Sequence, residues 1–139
     1  MYSNILRRDV QRHIWGKAGS LPLGTNFWVT LSTADPGQNG QSIAEPVGNG
    51  YAAVATVPAD WSDPSLANPS VMNNANIVDF GTATGPWGLL THYAVWNHAT
   101  LRAEANFMGQ KALTTSMSPV ATNPVSFPIG AIVINLLWV

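Results

Sequence analysis

The chain has 139 residues, a length that suits one domain burying roughly 70% of its unfolded surface. It contains no cysteine, which excludes disulfides and thiolate metal sites and leaves the redox compartment open. Charged residues make up only 9% of it and the net charge is −1, against about 25% charged in ordinary soluble domains, so the basic footprint of a nucleic-acid binder is missing.

The first segment has the pattern of a helix. Ser3 is placed to cap it, Leu6, Val10 and Ile14 recur every four residues as an apolar stripe, and Gly16 and Gly19 end it. Arg8 and Arg12 lie off that stripe, and Asp9 can reach Arg12 or His13. Arg7, Arg8, Arg12 and Lys17 hold four of the chain's six basic charges in 17 positions. They read as a solvated helix face or as an arm that docks on an acidic neighbour.

After Leu21-Pro22 the pattern turns to β. Expected strands are 26–33, 51–57, 76–80, 90–97, 103–108, 111–115, 124–127 and 131–139. They are short, rich in Val, Thr and aromatics, and bounded by Gly, Pro, Asn and Asp. Many short strands separated by turns predict a sandwich or barrel. Residues 34–50 and 58–74 read as long polar loops and candidate contact surfaces. Between 80 and 97, Thr84-Gly85-Pro86-Trp87-Gly88 cannot continue a strand; it predicts a corner with Trp87 folded back over the sheet end and His92 in the strand that follows. The final run, AIVINLLWV, is apolar on both faces. Ile132, Ile134, Leu136 and Trp138 point one way, and Val133, Leu137 and Val139 the other. Such a strand has to be central in a sheet or covered by a neighbouring subunit.

The start, MYSNILRRDV, lacks the apolar run of a signal peptide, and no stretch approaches the ~20 apolar residues of a membrane span. No partner membrane, cofactor or metal is expected. His13, His92 and His98 show no ligand spacing, because six residues put His92 and His98 ~20 Å apart along a strand. Asp60 and Asp63 fit turn or cap roles in a Pro- and Asn-rich loop. No serine sits in a G-x-S-x-G elbow, and no catalytic constellation is visible. Tryptophan is the remaining signal, with six residues. Trp28, Trp96 and Trp138 fall in expected strands and read as core or interface. Trp61 and Trp87 fall in loops, where they are candidates for stacking on a sugar; the simpler expectation for Trp87 is packing on its own domain.

Phe80-Gly-Thr-Ala-Thr-Gly-Pro-Trp-Gly-Leu-Leu-Thr-His-Tyr-Ala-Val-Trp resembles the signature F-P-x-A-T-x-x-W-G-x-V-T-H-F-x-[IL]-[FY]-D of the small bacteriophage proteins usually labelled "phage tail fiber protein". Gly50-Tyr51-Ala52 is similar to that family's G-x-Y-A-R, Gly109-Gln-Lys-Ala-Leu-Thr-Thr to its G-A-L-T-T, and Ser126-Phe127-Pro128-Ile129-Gly130-Ala131 to its final F-x-A-G-x-L. The helix and the strand leading to Ala34-Asp35-Pro36-Gly37 are similar as well. Ala53 replaces a common Arg and Asn97 a common Asp.

The resemblance implies a non-enzymatic structural protein of the virion. The expected fold is mainly β, a jelly-roll-like antiparallel β-sandwich preceded by a short N-terminal α-helix, with 1–20 as a helical arm and 21–139 as one sandwich domain. The favoured role is a capsid decoration (cement) subunit, a homo-oligomer, most simply a trimer, seated on other virion proteins such as the major capsid protein. Its candidate interface is Leu6, Arg8, Val10, Arg12, Ile14, Lys17, Ile134, Leu136 and Trp138. The rivals are a tail fibre, baseplate or tail adaptor subunit, and a carbohydrate-binding module acting through Trp61 and Trp87. Gly85, Pro86, Trp87, Gly88 and His92 are the expected structural corner.

Overall fold

The computed structural model describes residues 3–16, 26–67 and 69–136, with Ile5, Asn135 and Leu136 described by backbone alone. Lys17 and Trp138 of the expected interface lie outside the described residues, as does the end of the expected last strand.

The Ser3 side chain caps α1 (Asn4–Ile14) by accepting from the Leu6 N–H at 3.0 Å. The same hydroxyl donates to Phe107 O at 2.6 Å, and the Ser3 N–H donates to Met108 O at 3.2 Å, so the helix start is fastened to a strand far along the chain. Ser3, Leu6 and Asp9 are buried, whereas every residue from Gln11 to Gly16 is exposed. The expected interface stripe therefore divides. Leu6 is covered by its own chain, Val10 is half-buried, and Ile14 stands 59% exposed.

Among the described residues eight strands follow, all paired antiparallel. A four-stranded sheet has the order β2–β1–β5–β6, built from β2 (Val54–Thr56), β1 (Phe27–Ser32), β5 (Leu90–Trp96) and β6 (Phe107–Met117). β3 (Ser70–Asn73) pairs with β8 (Val133–Leu136), and β4 (Val78–Thr82) with β7 (Pro124–Phe127). One face of the large sheet, through Val29, Leu31 and Tyr93, packs on Val78, Phe80, Val125, Phe127 and Ile132. The fold is sandwich-like, and among the described residues the second layer consists of two strand pairs.

The opposite face of the large sheet is also covered. Ala94, Trp96 and Phe107 form a second cluster under Ile43, which explains why β1 ends in four consecutive buried residues. The segment 34–50, expected as a contact surface, is thus partly a cover for its own sheet. Gly40 makes that closeness possible. A Cβ there would lie 2.7 Å from ring atoms of both Phe107 and Trp96, and its φ is +72°.

Two further expectations are corrected. The separate strands expected at 103–108 and 111–115 are one strand, β6, preceded by a short 3-10 turn (Glu104–Asn106). Gly109 does not break it. It pairs with Val95, while Trp96 pairs with Phe107, so Met108 is an extra residue at a bulge. The bulge leaves the Met108 carbonyl free to hold the start of α1. Inside the expected loop 58–74 lies β3, held by its pairing with β8.

Candidate functional site

The corner at 84–88 is organised by a residue from another loop. Asn49, with φ +54°, donates from Nδ2 to Pro86 O at 2.8 Å. Its own carbonyl accepts the Trp87 indole N–H at 2.8 Å and the Thr84 N–H at 2.9 Å. Gly85 is required because a Cβ there would meet the Asn49 side chain at 2.7 Å. Trp87 is only 3% exposed and meets the Tyr51 ring edge-on at 5.4 Å between centroids. Its indole is enclosed by protein, so it offers no face to a sugar in this arrangement, and the carbohydrate pair reduces to Trp61. Gly88 carries a φ of +83°, and Pro86 is exposed beside it. His92 is half-buried in β5, opposite Ser32 of β1, with Nδ1 2.9 Å from the Thr91 hydroxyl.

Behind the corner runs a polar chain that the sequence did not suggest. The Tyr51 hydroxyl donates to Glu45 Oε2 at 3.0 Å and accepts the Leu31 N–H at 3.0 Å. Glu45 Oε1 accepts from Arg102 Nε, and Arg102 also donates to His98 O at 2.9 Å. The guanidinium lies 5.3 Å from the centre of the Trp96 ring. Burial first, then the neighbouring Glu45 charge, pushes the Tyr51 phenol well above its ordinary pKa. Isolated exposed ion pairs contribute ~1 kcal/mol or less, and fully buried ones lose 3–5 kcal/mol when one partner is removed. With side chains 16% and 20% exposed, Arg102 and Glu45 fall between those limits. This chain has the character of a structural tie, since each group in it is already bonded.

A groove of about 460 Å³ opens beside Tyr93 and Val95 of β5, on the face of the large sheet that carries the main core. Leu6 of α1, Trp61, Met72 of β3, Val95 of β5 and Ile134 of β8 give it apolar walls. Asp63 and Lys111 stand at its rim. Trp61 is half-buried, and its indole N–H is held by Thr56 Oγ1 at 3.1 Å. Nearby Asp60 is held below the ordinary carboxylate range by the Val57 N–H and then by Asn76. The size falls within that of ordinary ligand pockets.

The candidate interface residues therefore occupy different places. Leu6 and Ile134 line the groove, and Arg8 and Arg12 flank buried Asp9 at 3.0 and 3.9 Å. Ile14 is exposed at the helix end, and Leu136 pairs through its backbone with Ser70. Asn74 was not singled out from the sequence, yet it is 1% exposed and fastens the last turn, donating to Pro128 O and accepting the Ile132 N–H. Among the described residues no three His, Asp or Glu side chains are grouped to hold a metal, and no helix is long and apolar enough to cross a membrane.

The described residues form a mainly antiparallel β fold with a docked N-terminal helix and a motif-bearing corner. The family described as "Podophage GP4 fiber I protein gp80" matches residues 1–135, and the chain belongs to that family. It is accordingly a phage fibre-type structural protein and a component of the virion. No curated protein matches the chain.

Proposed function

We infer that the chain is a tail-fibre subunit that acts without catalysis, as a homo-oligomer whose contacts build or attach the fibre. The observation that carries this reading is the fibre family's match over residues 1–135. That description favours the tail over the capsid-decorating role expected from the sequence. A fibre subunit needs surface for neighbours, and this one exposes Ile14, Trp15, Leu66 and Ile77 among few charges. A trimer is the proposed state, closed symmetry being the usual way to cover such surface.

Gold-labelled antibody against the chain, imaged on intact virions, tests the place. Label confined to the tail is the expected result. Label spread over the head would replace the fibre reading by capsid decoration, and no label on virions would remove both.

A further inference from the structure

Among the described residues, the outer half of α1 is tied to its own fold only through Arg12 beside Asp9. From Gln11 to Gly16 every residue is exposed, including Ile14 at 59% and Trp15 at 76%. An adjacent Ile and Trp at a helix end, with arginine beside them, is the composition of an interface anchor. The same chain carries an apolar groove of about 460 Å³ whose rim carboxylate, Asp63, has no side-chain hydrogen bond or ion pair among the described residues.

Charge indicates what the helix end meets. α1 holds Arg7, Arg8 and Arg12 against Asp9 alone, and Asp9 takes Arg8 at 3.0 Å while Arg12 is loosely placed at 3.9 Å. All other carboxylates lie after residue 26, where residues 26–136 contain only Arg102 and Lys111 as cations. One copy's helix is thus positive and another copy's body negative. Arg102 is already committed to Glu45. Within the groove, Asp63 comes from the loop before β3 and Lys111 from β6. The two rim charges are opposite in sign, so they set which way a cationic helix end enters.

We propose that the end of α1 docks in the groove of a second copy of this chain, with Ile14 and Trp15 between the apolar walls and Arg12 against Asp63. The proposal rests on the reading of the chain as an oligomeric virion subunit and names its self-contact. Donor and acceptor are different patches, so the contact is heterologous, and it gives the proposed trimer where its rotation closes after three copies.

The absence of cysteine allows a clean test on the full chain. Arg12→Cys combined with Asp63→Cys, oxidised and run without reductant, should give covalent multimers. A disulfide within one chain would show that the helix end seats in its own groove, and no disulfide would place the residues apart; either overturns the proposal. Light scattering over a dilution series gives the second arm. Trp15→Ser should weaken association, and Arg12→Asp and Asp63→Arg should each weaken it by about tenfold, the scale of a close charge pair. Arg12→Asp with Asp63→Arg should restore it. A wild-type monomer, or a double variant as weak as either single one, also overturns the contact. Virion labelling separates this from the fibre reading. Monomers that still label the tail sink the contact and the homo-oligomer but leave the place in the tail, whereas cross-linked multimers absent from virions sink only the fibre role.

Discussion

Among the described residues Thr122 is one of two non-glycine residues with positive φ, at +74°, a conformation that β-branched side chains rarely adopt. The backbone around it explains why it persists. Its N–H donates to Ala83 O at 2.9 Å, Asn123 O accepts the Ala83 N–H at 2.9 Å, and the Asn123 carboxamide oxygen accepts the Val120 N–H at 3.0 Å. These bonds fix the turn whatever side chain occupies it. Such strain costs ~1–3 kcal/mol, and glycine would relieve it at an entropic cost of ~1 kcal/mol. The Thr122 side chain is exposed, so little packing is lost on removing it. Thr122→Gly should therefore stabilise the protein by up to ~1 kcal/mol, seen as a rise of a few degrees in Tm. A lowered Tm would show that the threonine makes a compensating contact. Nothing in the sequence announces the positive φ at this position, because the turn is held in part by Ala83, far back in the chain.

At the scale of elements, the corner 84–88 and the loop holding Asn49 act as one unit. Trp87→Ala removes a buried indole, its bond to Asn49 O and its contact with Tyr51. Loss of ~3–5 kcal/mol is expected, the usual range for a buried aromatic, with a drop in Tm of about 10 °C or more. Trp87→Phe keeps a ring beside Tyr51 and leaves Asn49 O its bond from Thr84, so it should cost less than half as much. Equal losses for the two variants would mean that the N–H and not the ring carries the corner. The turn and the fold-back of Trp87 were legible, since two glycines and a proline leave the chain few conformations. Its clasp by Asn49 was not, because a Gly48-Asn49-Gly50 stretch reads only as a turn. Strand identity was legible where Val, Thr and aromatics ran together, as in β1 and β5. It failed at β3, whose Ser70–Asn73 stretch takes its extended form from pairing with β8, and at Gly109, where a bulge keeps β6 continuous. The groove was the least legible part. Its walls come from α1, β1, β3, β5, β6 and β8, and of its lining only Trp61 was a ligand candidate and Leu6 and Ile134 interface candidates.

At the scale of the whole molecule, half-buried Tyr51 and buried Tyr93 tie the layers together, and they link stability to pH. Tyr51 joins the segment carrying Glu45 to β1, and Tyr93 of β5 donates to Val133 O of β8 at 3.4 Å. Burial is the first cause of a raised pKa for both, reinforced at Tyr51 by the Glu45 charge. A raised folded pKa means that the neutral phenol is the form the fold holds. The unfolded chain loses these protons near pH 10, while the folded chain keeps them. Their contribution is therefore complete below about pH 10 and is lost as pH rises above that value toward the folded pKa values. On the acid side the sign is opposite. Asp60 is depressed, so its contribution is present above about pH 4 and lost as pH falls, but it is exposed to solvent and its effect is small. The molecule should accordingly tolerate mild acid better than strong alkali. Chemical denaturation followed between pH 7 and 11.5 should show a flat midpoint that falls from about pH 10. Tyr51→Phe gives up the hydroxyl's bonds to Glu45 and Leu31 and should be less stable at pH 7 by ~1–2 kcal/mol. It also removes one of the two ionisations, so its alkaline fall should be shallower and the two curves should converge. Parallel curves across that range would show that Tyr51 ionises as readily in the fold as outside it, and that the tie through Glu45 does not resist alkali.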